Sequence, residues 1–74
     1  MTNGERRYLV STAEDFFYRL GYTQSSVNTA LSSVLMTAER RGIDLTQDEL
    51  EDIGMEARNN YFSKKKTKGF LGHY

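Results

Sequence analysis

Residues 45–50 read Leu-Thr-Gln-Asp-Glu-Leu, and this hexapeptide commits the chain to a helix. The Thr46 hydroxyl is placed to accept from the Glu49 amide, while the Glu49 carboxylate reaches back to the Thr46 amide, a reciprocal capping box. Leu45 and Leu50 occupy the two positions of a hydrophobic staple, which sets the angle at which the chain enters the helix. Beyond this start Leu50, Ile53, Ala57 and Tyr61 recur at three- and four-residue spacing, one face of a helix. The pattern predicts a helix over residues 47–63.

Two further helices follow from the same punctuation. Gly42 is a natural left-handed terminator, so a second helix spans 24–41, starting near Thr23 or Ser25, with Val27, Ala30, Leu31, Val34, Leu35 and Ala38 as its core stripe. Gly21 ends a first helix over 5–20, whose stripe is Leu9, Ala13, Phe16, Phe17 and Leu20. A start near Glu5 suits Leu9, which already fits the stripe. The alternative is a Ser11–Glu14 capping box, a start at Thr12 and a loose first ten residues. Tyr8, Phe16, Phe17 and Tyr18 supply bulk on the first helix against the small Ala and Ser side chains of the second. The last stretch, SKKKTKGFLGHY, has four lysines, two glycines and no periodicity. The expected fold is all-α: a compact three-helix bundle over residues 1–63 with a flexible basic, aromatic C-terminal tail over 64–74.

Composition narrows the function classes. A chain of 74 residues is one domain that buries only about 60% of its unfolded surface. Such a core supplies about 3–5 kcal/mol, and small domains often add disulfides, metals or oligomerisation. There is no cysteine, which removes disulfides and thiolate metal sites and suits a reducing cytoplasm. The one histidine, His73, sits beside the C-terminus, so no metal site is expected. A second copy or a protein partner is then the remaining support. The N-terminal MTNGERRYLV lacks the apolar core of a signal peptide, and no stretch approaches the ~20 apolar residues of a membrane span. No Ser–His–Asp set, reactive Cys or phosphate-cradling loop is present, so no enzyme, cofactor or small-molecule substrate is expected. The carboxylates of GIDLTQDELEDIG are out of register for an EF-hand calcium loop and read as capping and first-turn charge.

Residues 20–31, LGYTQSSVNTAL, carry a Gly-aromatic turn at Gly21-Tyr22 and an Ala-Leu pair at Ala30-Leu31. This resembles the first turn and second helix of ubiquitin-associated-type domains, and the related C-terminal domain of the Holliday-junction protein RuvA. The resemblance covers about a sixth of the chain. The second helix, reaching about Arg41, is longer than the family's short one. What the resemblance implies is a three-helix fold that binds another protein without catalysis, with a binding patch at Gly21, Tyr22 and parts of 50–57.

Four surfaces are candidates for contact. Nineteen consecutive residues, Leu20–Ala38, carry no charge in a chain that is 27% charged. At 100° per residue, Ser25, Thr29, Ser32, Ser33 and Met36 lie opposite the core stripe. Small neutral side chains cost little desolvation on burial and Met adapts to varied partners, so this face is either a docking or self-association surface or a plain solvated Ser/Thr face. Met55 and Phe62 lie about 120–140° from the Leu50–Tyr61 stripe, at 100° per residue. They form either an anchor pair for helix-in-groove recognition or, the weightier account, a wider core with Phe62 folded onto the first helix. Residues 39–56 carry net −5 and residues 57–74 net +5, largely the charge bias a helix dipole favours. Asp48, Glu49, Glu51, Asp52 and Glu56 form an acidic face, either plainly solvated or able to meet a basic partner or mimic a phosphate backbone. Lys64, Lys65, Lys66 and Lys68 precede Phe70, His73 and Tyr74, a combination able to grip nucleic acid weakly. A helix-turn-helix through LGYTQSSVNTAL would offer Gln24, Ser25, Ser26, Asn28 and Thr29 to bases. A net charge of zero argues against a dedicated nucleic-acid binder. The expected function is a small non-catalytic protein-binding module: an adaptor, subunit or inhibitor of bacterial or phage regulatory type, partnered by another protein or by itself as a homodimer. The alternative is a nucleic-acid-binding accessory protein.

Overall fold

Each helix begins on a threonine. In the computed structural model, which describes the backbone of residues 1–71 and the side chains of residues 1–64, α1 spans Asn3–Leu20, α2 Gln24–Arg40 and α3 Gln47–Leu71. Thr2 Oγ1 accepts from the Glu5 amide at 3.1 Å, and the Thr2 amide donates to Glu5 Oε1 at 2.8 Å. Thr46 and Glu49 repeat the exchange at 3.1 and 3.0 Å. Thr23 does so with Ser26, at 3.1 and 2.9 Å. Each box satisfies amides that the first turn of a helix leaves without carbonyls. The expected Thr46 box forms. α1 starts two residues earlier than expected because Thr2 caps it, and Ser11 and Glu14 lie inside that helix rather than at its start.

Gly21 and Gly42 end the first two helices with φ of +80° and +70°, a region that costs an L-residue strain and glycine little. At Gly42 two bonds close the helix: Ile43 N–H donates to Ala38 O at 2.8 Å and Gly42 N–H to Glu39 O at 3.1 Å. That pair is a Schellman motif, and it drops Ile43 into the core beside Ala38. α3 runs to Leu71, past the boundary expected at residue 63. Lysine is a good helix former, so the run of lysines prolongs the helix. The final tail residues, with His73 and Tyr74, lie outside the described ones.

The structure is a three-helix bundle with α1 at its centre. α1 packs against both other helices, whereas α2 and α3 meet over a much shorter stretch. The burial pattern follows. α1 buries a wide band, Leu9, Val10, Ala13, Glu14 and Phe17, because it faces two neighbours. α2 buries a narrow line at four-residue spacing, Ser26, Ala30, Val34 and Ala38, because it faces chiefly one. α3 buries Leu50, Ile53, Ala57 and Tyr61, the expected stripe. Two expected core residues are surface residues instead: Leu20, 58% exposed, sits on the last turn of α1 past its neighbours, and Leu35, 45% exposed, falls outside the narrow α2 line. Val10 takes a core place the first stripe did not include.

Charged groups fasten α1 to α3. The Arg6 guanidinium meets Glu56 at 2.6 Å and Asp52 at 3.2 Å, and the Glu56 hydrogen bond pushes the Arg6 pKa up. Glu14, only 8% exposed, accepts from Asn60 Nδ2 at 3.0 Å and Lys64 Nζ at 3.4 Å. The Glu14 charge in turn raises the Lys64 pKa. Among the described residues no helix is long and apolar enough to cross a membrane, and no three potential metal-ligating side chains of the His, Cys, Asp and Glu types converge.

Candidate protein-docking cleft

The turn between α1 and α2 is built around one hydroxyl. Ser26 Oγ donates to Gly21 O at 2.6 Å and accepts from the Thr23 amide at 2.9 Å. Ser26 is 1% exposed, so it serves the turn and has no access to a nucleic acid. With Gly21 N–H bonded to Phe17 O at 2.9 Å, the three-residue connection is held at both ends. Its product is the position of Tyr22. The Tyr22 ring packs edge-on against Phe17 at 5.1 Å and Phe62 at 5.0 Å, and stacks on Tyr61 at 6.3 Å.

Where α2 and α3 diverge, a cleft of about 340 Å³ opens beside this aromatic cluster. Phe17 of α1 and Tyr22 of the turn line it together with Val27 and Leu31 of α2, one helical turn apart. α3 contributes Gly54 and Met55. A Cβ on Gly54 would stand 2.9 Å from Leu31 Cδ2, so the glycine lets the two walls meet at their base. Met55 is 61% exposed. Polar groups stand along α3 at the rim: Glu51 toward one end, Arg58 and Asn59 toward the other. The Arg58 guanidinium lies 5.8 Å from the Tyr22 ring and 5.3 Å from the Phe62 ring. Such a cation–aromatic contact holds it in place. It has no acidic partner among the described residues. Glu51 accepts a hydrogen bond from Gln47 Nε2 at 3.1 Å and meets no cation there.

The sequence-derived candidates fall on separate surfaces. Met55 lines the cleft, and Phe62 buttresses it from outside through Tyr22 and Tyr61. Phe62 is exposed and packs on the turn, where the weightier expectation had it folded onto the first helix. Ser25 is exposed on α2. Thr29, Ser32, Ser33 and Met36 line a shallow depression with Asn28 on the same helix. Lys64 is engaged by Glu14 and stands 5.9 Å from the Tyr18 ring. The side chains of Lys65, Lys66 and Lys68 lie outside the described residues. The acidic face is divided: Glu49 caps α3, Asp52 and Glu56 hold Arg6, and Glu51 remains at the cleft. Sequence reasoning missed Val27, Leu31 and Arg58 as cleft residues. The first two read as core, and α2 buries them only in part because α3 leaves them. Comparison of the chain with family models, curated proteins and solved structures finds no match.

Proposed function

We propose that this protein is a non-catalytic binding module, an adaptor, subunit or inhibitor, that docks an apolar helix face into the cleft between α2 and α3. The observation that carries this reading is the cleft's composition. Its lining is mostly apolar, from buried Phe17 through half-buried Val27 and Leu31 to the more exposed Tyr22 and Met55, and its polar side chains, Glu51, Arg58 and Asn59, are all exposed. An apolar centre with a polar margin is the layout of a protein interface hot spot. A catalytic site instead gathers polar groups onto one reacting atom. The position also agrees with what the ubiquitin-associated resemblance implies for Gly21, Tyr22 and residues 50–57. The cysteine-free composition fits work in a reducing cytoplasm, as a bacterial or phage regulatory protein.

The depression on α2 is the second docking surface, favoured by the 57% exposure of Met36 among neutral side chains. It is shallower and more polar, so less apolar area leaves water when it is covered. One comparison separates the two. Tagged Met55→Glu and Ser32→Glu variants, each checked for unchanged helical circular dichroism, are set beside wild type in capture from lysate of the source cells. A charge buried without a partner is strongly unfavourable. Met55→Glu is therefore expected to weaken capture tenfold or more, with Ser32→Glu near wild type. Full capture by Met55→Glu refutes the cleft as the docking site.

A further inference from the structure

The rim charges of the cleft define what lies in it. Glu51 and Arg58 are seven residues apart on α3, about 10 Å along the axis at 1.5 Å per residue. Both line the cleft, with Gly54 and Met55 midway between them. Of the neighbouring acids, Glu49 is taken by its cap and Asp52 and Glu56 by Arg6, and Asp48 does not line the cleft. The cleft therefore presents a short stripe: an uncompensated acid, an apolar centre, and an uncompensated base held against two aromatic rings. A helix laid parallel to α3 with the ordinary bias of acids first and bases last would set acid on acid. Laid antiparallel, it sets base on Glu51 and acid on Arg58.

α3 is itself such a helix. We propose that the occupant of the cleft is a second copy of this chain, with the two α3 helices antiparallel about a twofold axis passing between Gly54 and Met55. The axis places Glu51 of each copy opposite Arg58 of the other. Met55 of each copy then meets Gly54 and the neighbouring Leu31 of the other, where the missing side chain leaves α3 thin. A stripe whose charges exchange under reversal about its own midpoint is self-complementary, which is what an isologous dimer interface requires. A domain of this size, without disulfides, also gains stability from association. The proposal rests on the cleft being a docking surface and names its partner.

Charge reversal tests it with the full-length chain. Sedimentation is followed across a concentration series at low salt, where screening is weak. Wild type is expected to sediment as a dimer. Glu51→Arg makes both rim pairs base on base, and Arg58→Glu makes both acid on acid, so each variant alone is expected to dissociate at least tenfold more readily. An equimolar mixture of the two variants restores both pairs between unlike chains and is expected to sediment as a heterodimer, with the double variant E51R/R58E self-associating again. A wild type that stays monomeric throughout, or a mixture that stays monomeric, overturns the dimer. If Met55→Glu then still loses a captured partner, only self-association has failed. If Met55→Glu changes neither property, the docking reading fails with it.

Discussion

Gly54→Ala probes the cleft at its narrowest point, and the structure sets the size of the effect. Gly54 lies eight positions into α3, where alanine is worth about 0.8–1.0 kcal/mol over glycine. Against this stands the 2.9 Å approach of the new Cβ to Leu31 Cδ2. That atom is a terminal methyl on a half-buried side chain bordering open space, so it can swing toward the cleft. A side chain held about 30° off its rotamer costs about 0.5–1.5 kcal/mol, and Leu31 has room to avoid most of that. The expected result is a stability gain of about 0.5 kcal/mol in urea denaturation at a protein concentration low enough to keep both chains monomeric, with an unchanged m-value. The same substitution pushes the Leu31 methyl into the cleft and weakens docking. Stability and binding therefore move in opposite directions, which is the signature of a glycine retained for a surface and not for a turn. A loss of more than about 1 kcal/mol would refute the reasoning, since it would mean that Leu31 is pinned by its neighbours and that α2 and α3 are tightly packed at Gly54.

Three further outcomes are expected. Leu50→Ala, at a 4% exposed core position, costs about 2–5 kcal/mol in chemical denaturation; an unchanged midpoint would put Leu50 outside the core. Ser26→Ala strips the Gly21 carbonyl and Thr23 amide of their shared partner. It is expected to cost about 1–3 kcal/mol and to free Tyr22, read as loss of ring-current-shifted aromatic resonances by NMR. The Glu49 carboxylate is held below its ordinary pKa by the Thr46 amide. Its contribution to stability is present above its unfolded value, about 4.3, and is lost as pH falls through the depressed folded value. Glu49→Gln removes that titrating carboxylate and should therefore show a shallower fall in stability below pH 4 than wild type, by thermal melts across pH.

The helices were legible because their boundaries are written in local chemistry. Thr46 with Glu49, and glycines at 21 and 42, act within one turn of chain and need no neighbour. The α3 stripe was legible because α3 has one buried face. Leu20 and Leu35 were misplaced because periodicity says which residues share a face and not how far the neighbouring helix extends over it. α2 buries a line only one residue wide, which no pattern within α2 reveals. Glu14 reads as an ordinary surface acid; its burial depends on Asn60 and Lys64, 46 and 50 residues away. Of the cleft, Met55 was singled out because it broke the α3 pattern, and the Gly21-Tyr22 turn through the family resemblance. Arg58 was not, because an arginine late in a helix is what the dipole favours in any case.

The absence of charge from residues 20–38 acquires a structural reason in this arrangement. α2 approaches α1 through Ser26, Ala30, Val34 and Ala38, side chains small enough to bring the two backbones close. That close approach tilts the division of space: α1 also holds α3, by Arg6 to Asp52 and Glu56 and by Glu14 to Asn60 and Lys64. No such charged tie joins α2 to α3 among the described residues. With both outer helices fastened to the middle one and not to each other, a gap between them is the geometric consequence. Val27 and Leu31 on its α2 side are therefore half-buried apolar groups by construction. A charged residue beside them would have fixed α2 to α3 or lowered the affinity of the cleft for an apolar partner. The neutral run from Leu20 to Ala38 does neither, and it leaves Glu51 and Arg58 on α3 as the charged side chains lining the cleft.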